Sequence, residues 1–118
     1  MRRRWAGNGD DRRAAQLIEA GAAELERLLH DEGRLVLVMF GSGRCEPCRE
    51  LRTQLEGLRK PAAVLVSVDA DAEPEAVRRH DVGELPTLVF FKAGRELHRF
   101  KGGALPQSTL ELMPAEGD

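Results

Sequence analysis

The sequence predicts an α/β domain in which a central mixed β-sheet is flanked by helices on both faces. Three observations lead there. Residues 35–40 (LVLVMF), 63–68 (AVLVSV) and 87–91 (TLVFF) are short, β-rich and almost continuously apolar, as interior strands are when both faces of a sheet are covered. The two stretches between these runs carry helical signals. A tight turn then separates the third run from one more extended segment.

The elements follow in order. Residues 11–30 are ambiguous: Ile18, Ala22, Leu25 and Leu29 fall on helical spacing, which favours one long helix, while Gly21 permits a short strand around Leu17 and Ile18 followed by a helix. After the first apolar run, residues 45–60 place Leu51, Leu55 and Leu58 at spacings of four and three, with Pro61 just beyond, and predict a helix with one apolar stripe. Between the second and third runs, residues 73–80 put Pro74 in a first turn and Arg78, Arg79 and His80 in a last turn, so a short helix fits. Lys92-Ala93-Gly94-Arg95 reads as a tight turn into residues 96–100, an edge strand with one wet face. Residues 106–113 begin with Pro106 and space Leu110 and Met113 three apart, as a terminal helix would.

Composition narrows the function classes. The 118 residues suit one domain, read here as residues 11–118 behind a disordered tail of residues 1–10. A net charge of −2 gives no bulk electrostatic case for nucleic-acid or membrane binding. No apolar run approaches the ~20 residues that cross a bilayer, and the basic start is not followed by the apolar stretch of a signal peptide. The expected address is the cytoplasm. In a reducing compartment a close cysteine pair points to redox or metal chemistry rather than to a structural staple.

That pair is Cys45-Glu46-Pro47-Cys48. By itself it could be a redox couple, half of a metal site, or two buried thiols. A cysteine in the first turn of a helix faces free backbone N–H groups and the positive end of the helix dipole, which favour thiolate. Arg44 adds a positive charge beside Cys45 and Glu46 a negative one, so their net effect is not fixed by the sequence. Cys48, three residues on, shares the same side of the helix start, is the more enclosed, and can attack a mixed disulfide formed at Cys45. Pro47 removes one competing N–H and stiffens the turn. A zinc site would need four ligands, and beyond the cysteines only His30, His80 and His98 are available, on three separate elements; no metal or cofactor is expected. The acidic run from Asp69 to Glu73 lacks the Gly and the distant Glu of a calcium loop and reads as a solvated turn.

From Leu17 to Met113 the chain resembles the thioredoxin family. The similarity rests on Cys-x-Pro-Cys after a strand, Val68-Asp69 closing the next strand, Val82-Gly83-Glu84-Leu85-Pro86-Thr87, Phe91-Lys92-Ala93-Gly94 and Gly102-Gly103-Ala104-Leu105. It implies a thioredoxin-like fold, with a first strand near Leu17 and Ile18, and a protein-disulfide reductase serving cell redox homeostasis. Cys45 would be the nucleophile and Cys48 the resolving thiol. Pro86, cis in the family, would stand beside them. Leu85 and Pro86 would form a docking edge for an extended target segment, Gly103 would line the groove, and Arg44 and Pro47 would belong to the same target surface. The implied partners are disulfide-containing proteins and a thioredoxin reductase or a dedicated electron donor, with the chain itself a monomer.

Three departures qualify the resemblance. Met39 and Leu65 occupy the places of a buried Asp and its Lys partner, so both halves of an ion pair are apolar together. This is structurally reasonable, but it removes a proton acceptor for Cys48. Arg44 replaces a Trp, which predicts a less apolar and more cationic target surface, and Thr53 replaces a kinking Pro. The expectation is slower exchange, or a narrower set of targets, than in an ordinary thioredoxin. The alternative is a thioredoxin-fold binding or chaperone module whose cysteines are dispensable.

Overall fold

The computed structural model describes residues 16–31, 33–59 and 61–103. Its elements are β1 (Ile18–Glu19), α1 (Ala22–Asp31), β2 (Val36–Gly41), α2 (Glu46–Glu56), β3 (Val64–Asp69), α3 (Pro74–Arg79), β4 (Thr87–Lys92) and β5 (Arg95–Lys101). The strands form one mixed sheet in the order β1-β3-β2-β4-β5. β1 and β2 run parallel to β3, whereas β4 is antiparallel to both β2 and β5. The expected tail and the expected helix at 106–113 lie outside the described residues.

The near-continuous apolar runs have a simple cause. Successive strand residues point to opposite faces, and both faces are packed. Val36, Val38, Phe40, Val66, Val68, Val89 and Phe91 face one core together with Leu25 and Leu29 of α1 and Ala76 of α3. Leu37, Met39, Leu65, Leu88 and Phe90 face the other, beneath Leu51 and Leu55 of α2. The sheet is therefore flanked by α1 and α3 on one side and by α2 on the other.

The ambiguous N-terminal segment is a strand and then a helix. Ile18 and Glu19 pair in parallel with Val66 and Ser67, and Ala20 N–H donates to Ser67 O. Helical spacing of Ile18 with Ala22 is overridden because an unpaired edge of β3 is available to residues 18–20, and because Glu73 starts α1 anew: its Oε1 accepts from Ala22 N–H at 3.0 Å. Gly21 makes room for that cap, since a Cβ there would meet Glu73 Oε2 at 3.3 Å.

α2 is shorter than the stripe over residues 45–60 predicts. It ends at Gly57, whose N–H donates to Thr53 O and Gln54 O, so Leu58 reaches the core from beyond the helix. The Thr53 hydroxyl donates to Arg49 O one turn back. β5 is more exposed than an edge strand with one wet face: Leu97 keeps 47 % of its surface in water, and the charged residues around it blunt the open edge. The turn before it is tight, with Ala93 and Gly94 both at positive φ, as a two-residue hairpin loop requires.

Candidate active site

The cysteine pair sits where β2 hands over to α2. Cys45 is the N-cap of α2, with extended backbone, and its Sγ accepts from Cys48 N–H at 3.2 Å. Pro47 falls in the first helical turn, where a missing N–H costs no helical hydrogen bond. The two sulfurs are joined as a disulfide with Cα atoms 5.2 Å apart. The thiols are unequal in access: Cys45 is half-buried at the helix start, and Cys48 is wholly buried on the face of α2 that also carries Leu51 and Leu55.

Sheet register brings the second motif to the same end. Phe40 pairs with Thr87, so Pro86 lies level with Gly41, the last residue of β2 before the loop to Cys45. The Leu85–Pro86 peptide is cis and Pro86 is buried. Pro86 O accepts from Gly102 N–H at 3.1 Å, and Thr87 Oγ1 donates to Glu84 O at 2.6 Å. Gly103 then meets the cysteine loop: a Cβ there would stand 2.7 Å from Pro47 Cβ. The structure thus links Pro86, Gly102, Gly103 and Pro47 into one continuous rim, with Leu85 half-buried at its edge.

Arg44 departs from the expected cationic surface. Its side chain is exposed but forked onto Asp71, with Nη2 3.0 Å from Oδ1 and Nε 3.3 Å from Oδ2. Ser42 completes the cluster: its hydroxyl donates to Asp71 Oδ2 at 2.6 Å and accepts from Arg44 N–H at 3.1 Å. The hydrogen bond and charge of Arg44 hold the Asp71 carboxyl below the usual aspartate range, and those of Asp71 raise the guanidinium. The rim therefore carries a compensated ion pair in place of a bare positive charge.

The acidic run after β3 is structural in each part. Asp69 Oδ1 accepts from Asp71 N–H, Asp71 holds Arg44, and Glu73 caps α1. Among the described residues, no three His, Cys, Asp or Glu side chains are grouped to hold a metal ion. The histidines are not as scattered as their separate elements imply: His30 and His80 line one cavity of about 300 Å³ at the far end of the sheet, where His80 Nε2 lies 2.6 Å from Glu26 Oε2. Met39 and Leu65 share the core under α2.

Sequence reasoning missed Arg52. It is only 5 % exposed although it lies on the apolar face of α2. Its guanidinium reaches Glu19 Oε2 at 2.5 Å, Glu56 Oε2 at 3.2 Å and Ser67 Oγ at 3.0 Å. The available signal was its place four residues after Cys48 and four before Glu56.

Comparison with known proteins agrees with this geometry. The sequence model described as Thioredoxin matches residues 16–113. A thioredoxin of Chlamydia trachomatis is 35 % identical over 81 residues, covering 67 % of this chain and 79 % of that protein. The Fasciola hepatica thioredoxin structure superposes with a TM-score of 0.71 at 36 % identity, over 82 % of this chain and 94 % of that one. Schistosoma mansoni thioredoxin gives a TM-score of 0.72 at 29 % identity, over 81 % of this chain and 90 % of that one.

Proposed function

Since the chain belongs to the thioredoxin family and is a thiol–disulfide oxidoreductase that reduces protein disulfides, we propose that Cys45 opens each exchange and Cys48 closes it. The observation that supports this order is the unequal burial of two cysteines whose sulfurs are bonded to one another. The Cys45 thiolate, at the N-cap of α2, attacks one sulfur of the target disulfide; the other leaves as a thiolate. Cys48 then loses its proton and attacks Cys45 Sγ, forming the Cys45–Cys48 bond and expelling the second target sulfur, which takes up a proton. The target gains the two electrons that the dithiol loses.

The remaining roles belong to the rim. Leu85 and Pro86 offer an edge at which an extended target segment can pair, with Gly103 and Pro47 forming the adjoining wall and Arg44 its polar margin. A thioredoxin reductase, or a dedicated donor, returns the electrons to the Cys45–Cys48 disulfide. A reducing compartment such as the cytoplasm suits net reduction, and a monomer suits a site that must meet folded protein targets. With Met39 and Leu65 apolar, turnover falls below that of an ordinary thioredoxin on a generic substrate.

Reduction of insulin disulfides, driven by dithiothreitol or by thioredoxin reductase with NADPH, tests this reading. Turnover by the native chain that vanishes in Cys45→Ser is the expected result. Equal rates for the two proteins would overturn it and favour a partner-binding module in which the thiols are dispensable.

A further inference from the structure

Cys48 must become a thiolate to close the exchange, yet it is wholly buried, on the helix whose Leu51 and Leu55 pack against the largely apolar side of the sheet that holds Met39 and Leu65. A thiolate in such surroundings is costly unless a charge stands close by. The ionic group on its own helix face is Arg52, one turn along α2. Helical side chains lean toward the N-terminus and cover the preceding turn, which for Arg52 is the turn beginning at Cys48. Resting on the exchange reaction above, we infer that Arg52 is a positioning residue that stabilises the Cys48 thiolate during the resolving step.

The guanidinium is held for this task from three directions. Glu19 reaches it from β1, Ser67 from β3 and Glu56 from the next turn of α2. Glu19, Ser67 and Met39 are neighbours across β1, β3 and β2, so the cluster lies beside the apolar patch rather than within it. Both Glu19 carboxylate oxygens are shut off from solvent, and Oε2 faces Arg52 Nη2 as an ion pair. The cluster contains one cation and two carboxylates, carried at different places in the fold. Arg52 is one turn away, Glu56 two turns, and Glu19 belongs to the edge strand beyond β3. Of these three charges, the cation is the one carried on the turn of α2 next to Cys48, and a charge acts more strongly the nearer it stands. At the opposite rim Arg44 and Asp71 compensate each other, and Glu46 and Asp69 keep contact with solvent, which weakens their influence.

The closing experiment reads Cys48 directly. In full-length Cys45→Ser protein the sole remaining thiol is Cys48, and the chain has no tyrosine, so ultraviolet thiolate absorbance against pH reports that residue alone. Adding Arg52→Met should raise the titration midpoint by about one pH unit, the lower end of the effect of removing a close opposite charge, and Arg52→Lys should bring it most of the way back. Glu19→Gln, which keeps the shape and leaves Arg52 less compensated, should move the midpoint down. These opposite signs separate electrostatic positioning from packing, and Glu19→Gln with Arg52→Lys still decides the matter if Arg52→Met does not fold. An unmoved midpoint in Arg52→Met, or a Glu19→Gln shift in the same direction as Arg52→Met, overturns the inference. The titration needs no turnover: failure of insulin reduction with the expected midpoints sinks the exchange reading and leaves the Arg52 assignment supported.

Discussion

Arg44 and Arg52 both pair with carboxylates near the cysteine helix, in opposite environments. Arg44 precedes Cys45 on the rim, its side chain 84 % exposed and its partner Asp71 43 % exposed. Arg52 follows Cys48 on the inner face, its side chain 6 % exposed, with Glu19 and Glu56 at 33 % and 13 %. The forked geometry at Arg44 is the better formed, but water and salt screen it, and exposed pairs contribute little to stability. The Arg52 cluster is much less screened. Its worth as a whole is small relative to an apolar replacement, while the cost of breaking it by removing one member is large. Contact geometry alone would rank the two pairs wrongly; burial decides which one the fold depends on.

The sharpest way to break the comparison is to remove each cation in turn. Arg52→Met leaves the Glu19 and Glu56 carboxylates facing a buried gap, and urea unfolding should show a loss of about 3–5 kcal/mol. Replacing all three residues at once, as Glu19→Gln, Arg52→Met and Glu56→Gln, should recover most of that loss, because no buried charge is then left unpaired. Arg44→Met should leave the unfolding midpoint close to native. Equal losses for Arg44→Met and Arg52→Met would remove the distinction.

Gly103→Ala comes next in size and bears on the rim that Arg44 borders. The new Cβ would lie 2.7 Å from Pro47 Cβ, so the cysteine loop or the strand end at Gly102 must shift. Overpacking of this kind costs about 1–3 kcal/mol. A raised KM for insulin, larger in proportion than the fall in kcat, is the expected kinetic result, since the displaced atoms belong to the docking wall. Native KM and native stability together would show that the loop yields freely.

Much of this architecture was legible in the chain. Residues 36–41, 64–69 and 87–92 announce themselves because both faces of each strand are packed. α3 could be bounded because Pro74 and the basic pair Arg78 and Arg79 mark its two ends. The cysteine motif and Pro86 were recognisable as a pattern, though only the sheet register brings them to one end. β1 was obscure for a physical reason: two residues are too few to show a period, and their pairing with β3 is non-local. Arg52 was hidden by its type, since an arginine on a helix reads as solvent-facing, and its partners Glu19 and Ser67 are distant in sequence. Asp71 was hidden likewise, in a turn that looked merely solvated.

The smallest expected effect concerns the exposed pair and is read along the pH axis. Asp71 titrates below the usual aspartate range because it accepts hydrogen bonds from Arg44 and Ser42 and faces the Arg44 charge. A carboxyl whose folded pKa is depressed adds stability that is present above its unfolded pKa and is lost as pH falls through the folded one. Asp71→Asn removes that contribution, so the difference in melting temperature between native and variant should be greatest near neutral pH and close on acidification. Because the pair is exposed, added salt should shrink the same difference. The substitution also releases Arg44, which then presents an uncompensated cation beside Cys45; insulin reduction should become more sensitive to ionic strength than in the native chain. A difference that widens toward acid would mean that Asp71 is not stabilised as a carboxylate in the folded state, and the contrast with Arg52 would have to rest on burial of the inner cluster alone.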